Sequence, residues 1–187
     1  LGCNDSKAIL ELSSATTNIT GNTKWSNYIG GLVGANNNVA YVKSSYADAN
    51  IYTNVSNHHA INVGGLIGYN SANILNCYSV GDVETNRNSY IGGFVGRNST
   101  SGSILKSYTI VNVIGNAGKA GKFAGYSEGV TNKTYETPNA NLVLNNASEA
   151  TLNLTSIITS MDYSDIINPK FLKQTMTWDS EGWYIDG

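Results

Sequence analysis

Few residues in this chain could perform chemistry, and the two histidines are the first candidates. His58 and His59 are adjacent, and an imidazole pair could bind a transition metal. Successive residues of an extended strand point to opposite sides, so one ion could not easily use both rings. We therefore expect these histidines to lie in an exposed loop, and we predict no metal site and no cofactor.

Carboxylates are the second candidates, because glycosidases and lyases built on β-helices use acidic groups, often two that lie about 5 to 9.5 Å apart. Asp48 follows Tyr46 by two residues, whereas Asp82 follows Tyr78 by four. This offset separates the carboxylates, and a shallow exposed face would not shift their pKa values as catalysis requires. The motif His-Glu-x-x-His and a phosphate loop are also missing from the sequence, so we predict that the protein is not an enzyme.

Composition excludes two further classes of partner. The net charge is −2, with eleven basic and thirteen acidic side chains spread along the chain, so we expect no nucleic-acid binding. No apolar run approaches the roughly 20 residues that cross a bilayer, so we expect no membrane insertion. Residues 1–7 lack the features of a signal peptide, and we expect a piece of a larger protein. Cys3 and Cys77 are too few for a zinc framework; a disulfide between them stays open, and Cys77 is expected to be buried.

A repeated glycine block indicates which elements position the side chains. The block occurs at residues 29–34, 63–68, 91–96 and, in degenerate form, 120–125. Its first glycine advances by 34 residues from Gly30 to Gly64 and by 28 to Gly92, and by 28 again when Ala120 takes that position. This period is typical of a solenoid with one coil per repeat. The glycines that we assign to the repeat are Gly30, Gly31, Gly34, Gly64, Gly65, Gly68, Gly92, Gly93, Gly96, Gly121 and Gly125.

A second landmark is a tyrosine that follows each glycine block by a nearly constant interval. The segments around it, such as residues 79–83 and 109–113, are short and β-branched, which favours strands. If Ile51, Val83 and Val113 point inward, alternation turns the tyrosines outward, stacked about 4.8 Å apart. This stack is the candidate binding face, and we call it the tyrosine ladder: Tyr46, Tyr78, Tyr108 and Tyr135.

These patterns predict an all-β fold, a right-handed parallel β-solenoid of about four to five coils. We assign residues 1–137 to the repeats and 138–187 to an irregular last coil and a cap or linker. Asparagine-rich runs at 35–38 and 98–102 are expected to form the corners, and the extra residues of the second coil to bulge outward at 52–60. Asn168 and Pro169 predict a short helix to about residue 175. The aromatic end is expected to cap the unpaired strand edges; a tryptophan pair that grips a sugar is the alternative.

The sequence resembles the GLUG motif repeats over roughly residues 8–136. The resemblance rests on the glycine blocks and on the Ile-x-x-Cys/Ser-Tyr segments at 74–78 and 104–108. Lys122 and Ala124 depart from the pattern, which implies a distorted or terminal fourth coil. Such repeats are found in large bacterial surface proteins, including adhesin-like proteins and IgA-specific zinc metalloendopeptidases, where unrelated domains accompany them.

The resemblance implies a non-catalytic structural, spacer or adhesive module of a bacterial cell-surface or secreted protein, for instance a non-catalytic region of an IgA-protease-like metallopeptidase. Its partners would be the flanking domains of the same polypeptide, and its location would be extracellular. The alternative is a module that binds a host glycan or host protein through an exposed tyrosine ladder, since tyrosine offers large contact area at low entropic cost. Tyrosines covered by Trp178 and Trp183 would favour the scaffold; open ones would favour the binding module.

Overall fold

Short β-branched segments alternate with tight corners along the whole repeat region, and they form a parallel β-solenoid of about four turns. A computed structural model describes residues 1–21, 28–54, 61–153, 156–181 and 183. His58 and His59, with most of the predicted bulge at 52–60, lie outside these residues. In chain order the strands are β1 (Cys3–Asn4), β2 (Ile9–Glu11), β3 (Ser14–Gly21), β4 (Tyr28–Gly30), β5 (Val33–Asn36), β6 (Tyr41–Lys43), β7 (Tyr46–Thr53), β8 (Ile61–Gly64), β9 (Ile67–Asn70), β10 (Asn73–Leu75), β11 (Tyr78–Gly92), β12 (Val95–Asn98), β13 (Ser103–Gly121), β14 (Ala124–Ser127), β15 (Val130–Glu136), β16 (Leu142–Leu144), β17 (Ala147–Glu149), β18 (Thr151–Leu152) and β19 (Ser156–Ser160).

Every strand pairs in parallel with a strand of a neighbouring coil. One sheet has the order β1-β5-β9-β12-β14-β18. On another face β3, β7, β11 and β13 pair in chain order, and β15 follows β13. The predicted all-β solenoid is therefore confirmed.

The strand register aligns the landmarks of the repeat. Gly30 pairs with Gly64, and Gly64 pairs with Gly92. At the next coil the predicted spacing is wrong, because Gly92 pairs with Gly121 and Ala120 pairs with Ile91. The repeat there is one residue longer than predicted. The offset in residue number between paired residues of β11 and β13 changes by one at a register shift between Thr85 and Asn88.

Alternation along the strands assigns the inward face as the sequence predicts. The three aliphatic residues taken as inward are buried, and so are the small residues on the same face of their strands. Ser79 is accommodated because its Oγ donates to Gly93 O at 2.8 Å and lies 2.9 Å from Thr109 Oγ1. The buried inward set comprises Ser45, Ala47, Ile51, Cys77, Ser79, Val83, Ser107, Thr109 and Val113.

Close approach of backbones explains the paired glycines. A Cβ on Gly31 would overlap the carbonyl oxygen of Gly65, and a Cβ on Gly65 would overlap that of Gly93. Lys122 occupies the same position one coil later, and its Nζ reaches the carbonyl oxygens of Thr137 and Pro138 at 3.2 and 3.0 Å. A side chain is tolerated there because the coil that follows is irregular and pairs with β14 through only two residues.

In each coil a corner residue with left-handed backbone conformation lies two residues before the ladder tyrosine, or before Ser14 in the first coil, which has no tyrosine there. Its φ lies between 46 and 56° at five residues, of which only one is asparagine: Leu12, Ser44, Asn76, Lys106 and Lys133. The predicted run at 35–38 supplies a corner residue at Asn38, with φ 58°, but the corner at Asn76 was not predicted and the other four of these five corners are neither asparagine nor glycine. The stacking of coils imposes this conformation even on unfavourable residue types.

Leu12 is the corner residue where this strain is easiest to relieve. Its φ is 50° and its side chain is 66% exposed, so the leucine contributes little packing there. Asparagine adopts the left-handed region at lower cost. We expect Leu12→Asn to raise the thermal midpoint by about 2 °C, whereas Ile9→Asn, a change at an equally exposed strand residue, should give no increase. Equal shifts in the two variants, measured by circular dichroism, would refute the corner argument.

An asparagine ladder runs along the six-stranded sheet inside the solenoid. Asn4 Nδ2 donates to Asn36 Oδ1 at 2.9 Å, Asn36 Nδ2 to Asn70 Oδ1 at 2.9 Å, and Asn70 Nδ2 to Asn98 Oδ1 at 2.8 Å. All four side chains are buried. The prediction that the runs at 35–38 and 98–102 supply corner residues is therefore wrong for Asn36 and Asn98, which are ladder residues, because a buried amide is stable when it is fully hydrogen-bonded.

Breaking this ladder at its centre should be costly. In Asn70→Leu the donor to Asn98 and the acceptor for Asn36 are both lost in a buried position, and each unsatisfied polar group costs about 1–3 kcal/mol. We expect a loss of about 2–4 kcal/mol by urea denaturation. Asn50→Leu is the matched control, since Asn50 bonds to Asn18 at 3.1 Å on the exposed face. The control should change stability by about 0.5 kcal/mol or less.

After the last strand the chain forms two short helices and a 3₁₀ turn: α1 (Tyr163–Ile166), α2 (Pro169–Gln174) and η1 (Trp178–Glu181). The predicted helix is confirmed at α2, where Asn168 Oδ1 accepts from Lys170 N at 2.9 Å and Pro169 is the first helical residue. The sequence did not predict α1. Neither helix among the described residues is long and apolar enough to span a membrane.

Candidate functional site

The predicted tyrosine ladder is present as a stack of aromatic rings. Tyr46 and Tyr78 have ring centroids 4.7 Å apart with nearly parallel planes, and Tyr78 and Tyr108 are 5.1 Å apart. Tyr108 pairs in register with Tyr135 on the next strand. The stack forms because each coil places its tyrosine at the same point of the parallel register, one residue after a buried small side chain.

The chain's own C-terminal segment covers this ladder. We call residues 163–183 the tail. Trp178 stacks on Tyr108 at 5.3 Å, and Trp183 lies 5.3 Å from Tyr78 and 6.2 Å from Tyr46. The tail thus crosses successive coils in the direction opposite to the order in which the chain builds them. It begins at the last coil, where Phe171 meets the Tyr135 ring edge-on at 4.9 Å.

Hydrogen bonds fix the tail to the left-handed corners. Trp183 Nε1 donates to Asn76 O, and Trp178 Nε1 donates to Lys106 O, both at 3.0 Å. In addition, Lys106 Nζ donates to Thr177 Oγ1 at 2.6 Å and Lys133 Nζ to Thr175 O at 3.3 Å. These directed bonds set the tail in one register on the solenoid.

Burial under the tail changes the ladder's chemistry. Tyr108 and Tyr135 are buried, together with Trp178 at 2% exposure. Burial raises the pKa of Tyr78 to about 12, with the neighbouring Tyr46 and Asp48 adding to the shift, and it raises the pKa of Tyr108 further. The predicted aromatic cap is present, but it covers this lateral face and not the strand edges at the end of the solenoid, because the ladder offers it apolar area.

One part of the ladder faces an open groove beside the tail. The groove has a volume of about 680 Å³ and lies between the ladder and α1. Among its described lining residues Asp48 is the only carboxylate, and the others are aromatic and aliphatic. Its lining residues are Tyr46, Asp48, Tyr78, Val80, Tyr108, Ile110, Tyr163 and Ile167.

The two carboxylates considered for catalysis lie in different rows of the same outer face. Asp48 pairs in register with Val80, whereas Asp82 pairs with Asn50. Asn112 Nδ2 donates to Asp82 Oδ1 at 2.7 Å. Within the part of the chain that the structure describes, no three His, Cys, Asp or Glu residues lie together as a metal site.

A family model of the GLUG motif matches residues 59–84. The chain carries the GLUG motif. The matched segment includes the second glycine block, at residues 63–68, and Tyr78, and the strand register superimposes both on the neighbouring coils. The resemblance to GLUG-repeat proteins is thus confirmed at residues 59–84. Comparisons with curated proteins and with solved structures gave no match.

A second aromatic surface of the GLUG solenoid was missed in the sequence. Tyr28 lies 4.9 Å from Tyr69, and Tyr90 lies 4.9 Å from Tyr126, with the Arg97 guanidinium 5.4 Å from the Tyr126 ring. The signal was available, because these residues immediately flank the glycine blocks on either side. Arg97 lies 6.0 Å from the Tyr90 ring as well and pairs with Glu128 at 3.3 Å.

The two cysteines of the GLUG solenoid differ in environment. Cys77 is buried as predicted, and its Sγ lies 3.2 Å from Leu75 O. Cys3 is exposed, and the two thiols are unpaired. Burial raises the pKa of the Cys77 thiol to about 12, so the reactive thiolate is disfavoured at neutral pH.

This difference predicts the reactivity of the native protein towards a thiol reagent. At pH 8 we expect Cys3 alone to react rapidly with an aromatic disulfide reagent, giving one equivalent of released thiolate. Cys77 should react only after denaturation in urea, which gives the second equivalent. Rapid release of two equivalents from the native protein would contradict the burial of Cys77, and a Cys3→Ser variant provides the control.

Proposed function

We propose that this GLUG solenoid is a non-catalytic structural spacer of a larger bacterial cell-surface or secreted protein. The supporting observation is that the tail buries much of the tyrosine ladder, the predicted binding face, through ring stacking and indole hydrogen bonds. Because the tail packs on the tyrosine ladder, this face adds to the rigidity of the module and leaves less surface for a ligand. The surface location, and a place beside the catalytic domain of an IgA-protease-like metallopeptidase, rest on the GLUG resemblance alone.

Rigidity is the property that tests a spacer. We would insert the module between two fluorescent domains and measure their separation by energy transfer in single molecules. The expected result is one narrow distance distribution that persists up to the unfolding transition. The control is a glycine-serine linker of equal length, which behaves as a flexible coil with a broad distribution. A distribution as broad as that of the linker would reject the spacer proposal.

A binding module remains a second candidate because of the open groove beside the ladder. Tyrosine hydroxyls and the Asp48 carboxylate could hydrogen-bond to a saccharide there, and the aliphatic wall could pack on its ring. The test is a glycan array and a pull-down of host proteins with the wild-type module, compared with Asp48→Ala. Asp82→Ala, at an exposed carboxylate outside this groove, is the matched control. Retention of a glycan by the wild type and the control but not by Asp48→Ala would support binding.

A further inference from the structure

The asparagine ladder has a direction, and its first member is incomplete. Each amide donates its Nδ2 to the Oδ1 of the following coil, from Asn4 through Asn36 and Asn70 to Asn98. The Oδ1 atoms of the last three therefore accept a bond from the preceding asparagine. Asn4 Oδ1 accepts none from any residue that the structure describes, and it reaches solvent at this end of the solenoid.

The strands around Asn4 are unpaired on the same side. Among the residues that the structure describes, each strand of the first coil pairs with one strand, its equivalent in the second coil. The longest of them, β3, has eight residues that pair with β7, and the N–H and C=O groups of alternate residues point away from β7 towards the free edge. An edge of this length is a template for one more parallel strand.

The apolar interior is also open at this end. Leu10 pairs with Val42, and Ile19 pairs with Ile51. Val42 and Ile51 are buried, whereas Leu10 and Ile19 are only partly buried. A further coil would remove this apolar surface from water while it completes the strand pairing.

We propose that the first coil is a docking surface for one more parallel β-coil that carries an asparagine at the ladder position and donates its side-chain amide to Asn4 Oδ1. A second copy of this chain does not meet that requirement. At its far end Asn98 donates to Ser127 Oγ at 3.2 Å, and the residue that pairs with Ser127 in the next coil is Leu152. Head-to-tail stacking would place this leucine over Asn4. The occupant is therefore a coil of the GLUG type with an amide donor, and this inference does not depend on the spacer role.

The test adds such a coil to the chain as it exists. A second copy of residues 67–94, which contains Asn70, is fused directly before Leu1, so that the copied asparagine faces Asn4. The matched control carries Asn70→Leu in the added copy only. We expect one unfolding transition for both proteins, with the midpoint of the asparagine version about 2 to 4 °C above that of the leucine version, the shift expected for one hydrogen bond. Equal midpoints, or a higher midpoint for the leucine version, would overturn the proposal.

Two further measurements keep the proposal falsifiable if the extended chain folds incompletely. Hydrogen exchange should show slow amides in the added strand that faces β3; rapid exchange throughout the added copy overturns the proposal. Analytical ultracentrifugation of the unextended chain should show a monomer. Concentration-dependent head-to-tail polymers would mean that a second copy is the occupant, and that the asparagine requirement is wrong.

Discussion

Replacing Gly64 with alanine is expected to prevent stable folding. The added Cβ would overlap the carbonyl oxygen of Ile67, and it would lie 2.7 Å from Gly96 N and 2.8 Å from Val95 Cα. These atoms belong to the backbone, and Gly64 is held by strand pairing on two sides, to Gly30 and to Gly92. Because neither neighbour can move without breaking a sheet, we expect a loss above about 4 kcal/mol.

Far-UV circular dichroism and thermal denaturation measure this effect. Gly2→Ala is the matched control, since a Cβ at Gly2 has nothing within 4 Å. The control should unfold within about 0.5 kcal/mol of the wild type. A cooperative melt of Gly64→Ala close to that of the control would show that the coils do not approach each other as closely as the structure describes.

Truncation of Trp178 should have the second-largest effect. The ring is 2% exposed, it stacks on Tyr108 at 5.3 Å and on Tyr78 at 6.1 Å, and its Nε1 bonds to Lys106 O. Removing a buried aromatic ring typically costs about 3–5 kcal/mol, and the Lys106 carbonyl also loses its partner. We expect Trp178→Ala to lose about this much stability in urea denaturation.

Two comparison variants separate the contributions of Trp178. Tyr52→Ala removes an aromatic ring that is 42% exposed on the same outer face, and it should cost about 1 kcal/mol or less. Trp178→Phe keeps a ring but lacks the N–H, so it should fall between the wild type and Trp178→Ala. If Trp178→Ala is no more damaging than Tyr52→Ala, the tail does not pack on the ladder.

The repeat could be predicted from the sequence because its landmarks are local and periodic. The paired glycines and Tyr78 lie at fixed intervals, and strand alternation then assigns the inward face. The asparagine ladder was missed for a physical reason: asparagine is favoured both in corners and in buried amide stacks, and the residues around it did not distinguish the two. Its signal was position, since Asn36, Asn70 and Asn98 each follow the last glycine of a block by two residues.

The path of the tail could not be predicted in the same way. Trp178 and Trp183 bond to backbone carbonyls 72 and 107 residues earlier in the chain. Contacts between residues so far apart in the chain leave no periodic pattern in the sequence. The aromatic composition therefore indicated a cap, but not which face of the solenoid it covers. The error of one residue in the predicted spacing has a different cause: the blocks at 91–96 and 120–125 begin 29 residues apart, which aligns Gly121 with Gly92, but the prediction gave that position to Ala120.

The path of the tail also bears on how the molecule comes apart. In an array whose units contact only their nearest neighbours, heat can unfold the terminal units while the central units stay folded. Here one segment touches Tyr46, Tyr78, Tyr108 and Tyr135 in four successive turns. Unfolding one turn would therefore also break its contacts with the tail, which packs on the other three turns. Thermal unfolding should approach all-or-none behaviour across these four turns.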